Sequence, residues 1–186
     1  TEYGGKFMDE QLKGIAGGPA AGSASAMTMT CNPNGSASDR TFPSGGPFTA
    51  TSWEKLHPGA IAYSSTAKKG FNQLVGVAGA PAPNSAAGFA FDPMFGASQA
   101  CGPITDLTDP DAATYTFTVK KNFTMIGLPT VQVAMTSTGK GGQIASRLWD
   151  VSGGQRRLIT RGVYRLKDAQ KGTITFQLHG NGYVFK

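Results

Sequence analysis

Charge is what this chain has least of. Charged residues fill 15% of its 186 positions, against roughly a quarter in an average soluble domain. Gly, Ala, Ser and Thr take their place. That profile suits a compact, exported β protein and argues against a disordered tail. No apolar run approaches the ~20 residues that cross a bilayer, so no membrane partner is expected. No basic segment followed by an apolar one opens the chain at Thr1, and no signal peptide is visible. Histidine is represented only by His57 and His179, and cysteine only by Cys31 and Cys101, with no C-x-x-C. A structural zinc site wants four such ligands close together. Neither a metal nor another cofactor is expected.

The cysteines are either two buried thiols or one disulfide. Both sit beside turn-formers, in CNPNG and ACGP, where loops can meet, and this favours a Cys31–Cys101 bond in an oxidising compartment. The net charge of +6 comes from 17 Lys and Arg against 11 Asp and Glu. It is spread along the chain, with only Arg156, Arg157, Arg161 and Arg165 crowded together. No nucleic-acid motif accompanies them, so no nucleic-acid partner is expected.

What is present is alternation. Phe7, Met8, Leu12 and Ile15 recur at helical spacing and Gly14 supplies a stop, which predicts one short helix over residues 3–14. That helix must dock on something, since it cannot bury its own stripe. GIAGGPAAGS at 14–23 reads as a linker. SASAMTMTC reads as a half-buried strand with Met27, Met29 and Cys31 on one side and Thr28 and Thr30 on the other. Residues 32–47 read as a surface loop, and EKLHPG as one helical turn ended by proline. AIAYSST and TYTFTV alternate like strands, Ile61 with Tyr63, and Tyr115 with Phe117 and Val119. Between them, Val77 to Pro110 is Gly, Ala and Pro-rich, an unusually long loop that Phe89, Phe91, Met94 and Phe95 are expected to pin. FTMIG, TVQVAMTST, QIASRLWDV, RLITRGVYRL and GTITFQLHGNGYVF follow, divided by turn chemistry. The fold class expected is all-β, a sandwich or jelly roll with one short N-terminal helix.

Few residues invite a catalytic reading. GASQA, Gly96 to Ala100, has Ala where a nucleophile elbow needs its second Gly. His57, before a proline, reads as a turn residue and His179 as solvent-facing. GKGG at 139–142 lacks the spacing of a phosphate loop and reads as a hairpin turn. Asp106, Asp109 and Asp111 read as a solvated acidic turn, the calcium-loop Gly and Glu being absent. The sequons at Asn34 and Asn122 matter only in a host that glycosylates. Trp53, Trp149 and the tyrosines offer faces for stacking on sugar rings, although Trp149, in an alternating strand, is more simply a core or interdomain residue.

RLWDVSGGQRRLITRGVYRL reads as a hairpin. Gly153 and Gly154 turn the chain, Gly162 looks like a bulge, and the arginines project as a wet, charge-guarded face. The same stretch, followed by GTITFQLHGNGYVF, resembles the C-terminal jelly-roll domain of the X-Pro dipeptidyl-peptidase and cocaine-esterase-like hydrolases. Members show R-L-x-D-V, then L-I-T-x-G-x-x-R, then G-Y-x-F. Arg147, Leu148, Asp150 and Val151, then Leu158 to Thr160, Gly162, Arg165 and Tyr183 match those motifs. GGPFTATSWEKLHPGAIAYSS and AFDP resemble the variable early part of that domain in secreted bacterial members, and FMDEQLKG the last helix of the catalytic domain.

The resemblance implies that residues 1–20 end an α/β-hydrolase domain and that residues 21–186 form the jelly roll, cut short at its C-terminus. It implies a partner, the catalytic domain of the same polypeptide, and a secreted or cell-envelope location. The triad of that family belongs to the catalytic domain, so no catalytic residue is expected here. An oligomer is left open. A carbohydrate- or surface-binding module is the alternative, since fold does not fix function.

Overall fold

The computed structural model describes residues 2–29, 44–70, 104–105 and 112–186. Strands dominate it, with little helix. Cys31, Cys101, the aspartates at 106, 109 and 111, GASQA, the Asn34 sequon and the four aromatic or Met pins all lie outside the described residues.

Helix α1 (Glu2–Lys13) forms where helical spacing predicts it. Gly14 ends it at φ 70°, a left-handed conformation that glycine adopts without steric cost. Lys13 pairs with Asp9 one turn back at 2.7 Å, and Glu10 accepts from the Gly18 N–H at 2.6 Å, tying the linker to the helix. Strand β1 (Ala24–Met29) pairs antiparallel with β2 (Ser44–Ala50). One correction falls here. The expected loop over 32–47 gives way to strand at Ser44, with Gly46 and Pro47 at an irregularity in the ladder. Proline has no N–H to donate, so it sits where the ladder is broken. On β1 the buried side is that of Thr28, and Met27 is exposed. Gly182 lies against that side, where an added Cβ would be 3.0 Å from Thr28 Cα. Glycine lets the later strand press on that backbone. Helix α2 (Trp53–Leu56) is the single turn expected, with Ser52 accepting from the Lys55 N–H at its start.

AIAYSST and TYTFTV do not enter any ladder among the described residues. Residues 58–70 are exposed throughout, as are 114–118. Side chains nevertheless hold the two segments together. The Tyr63 and Phe117 rings stack at 5.3 Å, Tyr115 Oη donates to the Ala67 carbonyl at 3.3 Å, and Lys69 donates to the Thr114 carbonyl. Val119, just beyond, leans on the core.

The remaining strands pair in a nested order. A short β3 (Ile104–Thr105) borders β7. β4 (Phe123–Gly127) pairs with β9 (Asn181–Phe185), β5 (Thr130–Thr136) with β8 (Lys171–Gln177), and β6 (Gln143–Ser152) with β7 (Gln155–Arg165), all antiparallel. The ladders are small and open. β5 shows the plain two-residue alternation, with Val131, Val133 and Met135 turned inward. GKGG joins β5 to β6, which do not pair, so the expected hairpin turn there is a crossover instead. Its carbonyls are taken by the loop before β8: Ala169 N–H donates to Gly139 O and Leu166 N–H to Gly142 O, both at 2.9 Å.

The hairpin turns at Gly153 and Gly154, φ 58° and 72°, the positive values that a two-residue turn between twisted strands requires. Its bulge is not at Gly162. Leu148 pairs with Thr160 and Trp149 with Leu158, leaving Ile159 as the extra residue. A bulge shifts the alternation by one residue, which is how Leu158, Ile159 and Thr160 are all buried in succession. Gly162 has a different duty. An added Cβ would lie 2.9 Å from Leu178 Cα, so its bareness lets the chain leaving β8 lie against the hairpin.

Candidate functional site

Strand geometry brings the inner face of the hairpin against β9. Leu148 and Asp150 lie two residues apart on β6, hence on one face. Leu148 packs on a core of Ile159, Tyr183 and Phe185, joined by Phe123 and Met125 of β4. Phe185 stacks on Phe123 at 4.8 Å and meets the Tyr183 ring edge-on at 4.9 Å. The Tyr183 ring is thus apolar in its surroundings and its hydroxyl is not. Tyr183 Oη donates to Asp150 Oδ2 at 2.7 Å and accepts from Arg157 Nη1 at 3.4 Å. Arg157 stands directly across the ladder from Asp150. Burial, then the bond to Asp150, pushes the Tyr183 hydroxyl above the ordinary phenol value. Such a tyrosine keeps its proton and serves as a donor, not as a base.

A second lock holds the bulge. Ile159 has no ladder partner, and a buried carbonyl left unpaired is costly. Asn181 Nδ2 donates to it at 2.6 Å, while Asn181 Oδ1 accepts from the Gly182 N–H at 2.8 Å. Next along, Thr160 Oγ1 donates to the His179 carbonyl at 2.6 Å and the His179 N–H donates to Arg161 O at 2.9 Å. Sequence reasoning missed Asn181, and it placed Thr160 in the motif without a role for its hydroxyl. The Asn-Gly pair before an aromatic strand was the available signal.

The structure therefore gathers Leu148, Asp150 and Tyr183 of the motif and sets Gly162 close by, against Leu178. Arg147 stands opposite Arg161, and Arg165 lies exposed opposite Gln143 at the far end of the hairpin. The expected wet arginine face needs correction. Arg156 is buried, its guanidinium 4.6 Å from the Trp149 ring. A planar, weakly hydrated guanidinium stacks readily on an indole, and Trp149 has that ring face occupied.

Nothing in this arrangement is a nucleophile beside a base. Among the described residues neither imidazole bonds a serine or a carboxylate. His57 meets the Trp53 ring edge-on at 4.5 Å, and His179 is solvent-exposed. Glu54 nearby is held below its usual range by its backbone hydrogen bond and Ser52, with a smaller pull from His57. No group of three His, Cys, Asp or Glu gathers among the described residues, and no helix there is long and apolar enough to cross a membrane.

Among the described residues, two apolar surfaces stand exposed. The apolar stripe of α1 is one: Phe7, Met8, Leu12 and Ile15 are all about half exposed or more. The aromatic pair of Tyr63 and Phe117 is the other. Comparison with protein-family models, with curated proteins and with solved structures finds no match.

Proposed function

We propose that the chain is a non-catalytic jelly-roll β-sandwich domain of an X-Pro dipeptidyl-peptidase or cocaine-esterase-like serine hydrolase. It packs on the catalytic α/β-hydrolase domain and helps wall the active site, so that it governs which substrates enter. The observation that carries this reading is the meeting of R-L-x-D-V with G-Y-x-F through the 2.7 Å bond between Tyr183 and Asp150. Motifs far apart in the chain serve one strand junction, and among the described residues no nucleophile stands beside a base there. The nested pairing of β6 with β7, β5 with β8 and β4 with β9 supports the jelly roll, because a long hairpin rolled on itself pairs in that order. The open stripe of α1 supports a missing partner surface.

The test is chemical. The purified chain is offered a p-nitrophenyl ester and an X-Pro anilide, then a fluorophosphonate that labels activated serines. No turnover and no label are expected. A stoichiometric label on a serine of this chain overturns the proposal. The second reading, a carbohydrate- or surface-binding module, is favoured by the exposed aromatic pair rather than by Trp149, whose ring Arg156 already covers.

A further inference from the structure

The contacts between the two unladdered segments fix their relative direction. Tyr63 meets Phe117, Ala67 meets Tyr115, and Lys69 meets Thr114. As one number rises the other falls, so the segments run antiparallel. The Tyr63–Phe117 stack lies in the middle, and Lys68 stands at one end. Continuing the chain past Phe117 places Lys120 and Lys121 at the other end, both exposed. Lys69 is engaged in fastening the pair, its ammonium also 5.2 Å from the Tyr115 ring centre. Residues 58–70 and 112–122 contain no acidic residue. Ile61, at 55% exposure, extends the apolar strip.

Large exposed apolar groups gathered on one face mark interaction sites. An aromatic strip bordered at both ends by lysines, with no acid within the two segments themselves, is complementary to a ligand with flat apolar faces and spaced negative charge. We propose that this face binds an acidic polysaccharide, one whose sugar rings lie on Tyr63 and Phe117 while carboxylates reach Lys68, Lys120 and Lys121. The placement of charge favours a sugar acid over a nucleic acid. Single-stranded nucleic acids carry a phosphate beside every base and are held by cations tracking the backbone between the stacking rings. Within the two segments the cations stand at the two ends and do not track along the rings. This face is separate from the hydrolase reading, which neither requires it nor falls with it.

The experiment is a titration of the full chain with polygalacturonate at low and moderate salt, beside dextran and single-stranded oligothymidylate. Saturable binding to polygalacturonate is expected, with neither control bound comparably. Tyr63→Ala with Phe117→Ala should weaken it about tenfold. Lys68→Ala, Lys120→Ala and Lys121→Ala together should weaken it at least as much at low salt, the difference shrinking as salt screens it. Circular dichroism and a thermal melt confirm that each variant is folded. Absence of binding, equal or tighter binding of the oligonucleotide, or indifference to the loss of both rings overturns the proposal.

Discussion

The β6–β7 hairpin and the pair of segments around Tyr63 and Phe117 are both written in strand-like alternation, yet they end in different states. The hairpin zips into a full ladder, closed by Gly153 and Gly154. The other pair is held by rings and a lysine, with both backbones outside any described ladder. Distance along the chain separates them. Tyr115 and Ala67 are 48 residues apart, and closing such a loop costs about 3 kcal/mol more than closing a two-residue turn. The hairpin also has a surface to lie on. Its inner face meets β8 and β9 through Tyr164 on Phe176 at 5.4 Å, Gly162 on Leu178, and Asp150 on Tyr183. Alternation makes a segment competent for pairing; a short closure and a buried face make it pair.

The largest effect should come from the shared core of the paired region. Phe185 is buried and stacked on Phe123, so Phe185→Ala should destabilise by about 3–5 kcal/mol, the usual cost of removing a buried ring. Urea unfolding followed by tyrosine fluorescence measures it. A loss below 1 kcal/mol would mean that β9 is not part of the core and that the two regions do not differ as described.

Next comes the bulge. Asn181→Ala strips the Ile159 carbonyl of its donor, and a buried acceptor so abandoned costs about 1–3 kcal/mol. Asn181→Asp is the sharper variant, since it keeps the acceptor for Gly182 and removes the donor. Both should lower the unfolding midpoint while leaving the strand content seen by circular dichroism unchanged.

How much of this was legible depended on whether the determinant was local. The helix to Lys13, the turn at Gly153–Gly154, and the inward set Val131, Val133 and Met135 follow from periodicity and turn chemistry within a dozen residues. Gly162 reads as the bulge because glycine is a common local sign of one. The actual one at Ile159 is set by an amide 22 residues on, and Gly162 answers to Leu178 instead. Alternation in β1 likewise leaves open which side is buried, and the close approach of Gly182, on the last strand, falls on Thr28. In the candidate site, the contact of Asp150 with Tyr183 spans 33 residues, beyond anything periodicity reports. The motif segments were visible, but their meeting was not.

Tyr183→Phe tests that meeting. Removing the hydroxyl deletes the bond to Asp150 and should cost about 1–2 kcal/mol near neutral pH. It should also change the alkaline limb. The native state holds the phenolic proton more tightly than the unfolded chain, because burial and Asp150 raise its value above 10.0. That contribution is complete below the ordinary tyrosine value and is lost as pH climbs through the folded one. Stability should therefore fall more steeply above pH 10 in the native chain than in Tyr183→Phe. Parallel alkaline limbs would assign the decline to other groups.

The smallest effect belongs to the unladdered pair, and it measures the comparison directly. A double-mutant cycle on Tyr63 and Phe117 isolates one stacked contact at 5.3 Å between exposed rings, and a cycle on Phe123 and Phe185 isolates one at 4.8 Å with Phe185 buried. Exposed rings exchange contact with each other for contact with water at little net gain, so the first coupling should be about 0.5 kcal/mol or less. The second should be about 1 kcal/mol or more, because separating those rings opens a void within the core. Equal couplings would mean that the Tyr63 face is as well covered as the core, and the ground for treating it as a binding surface would go with that result.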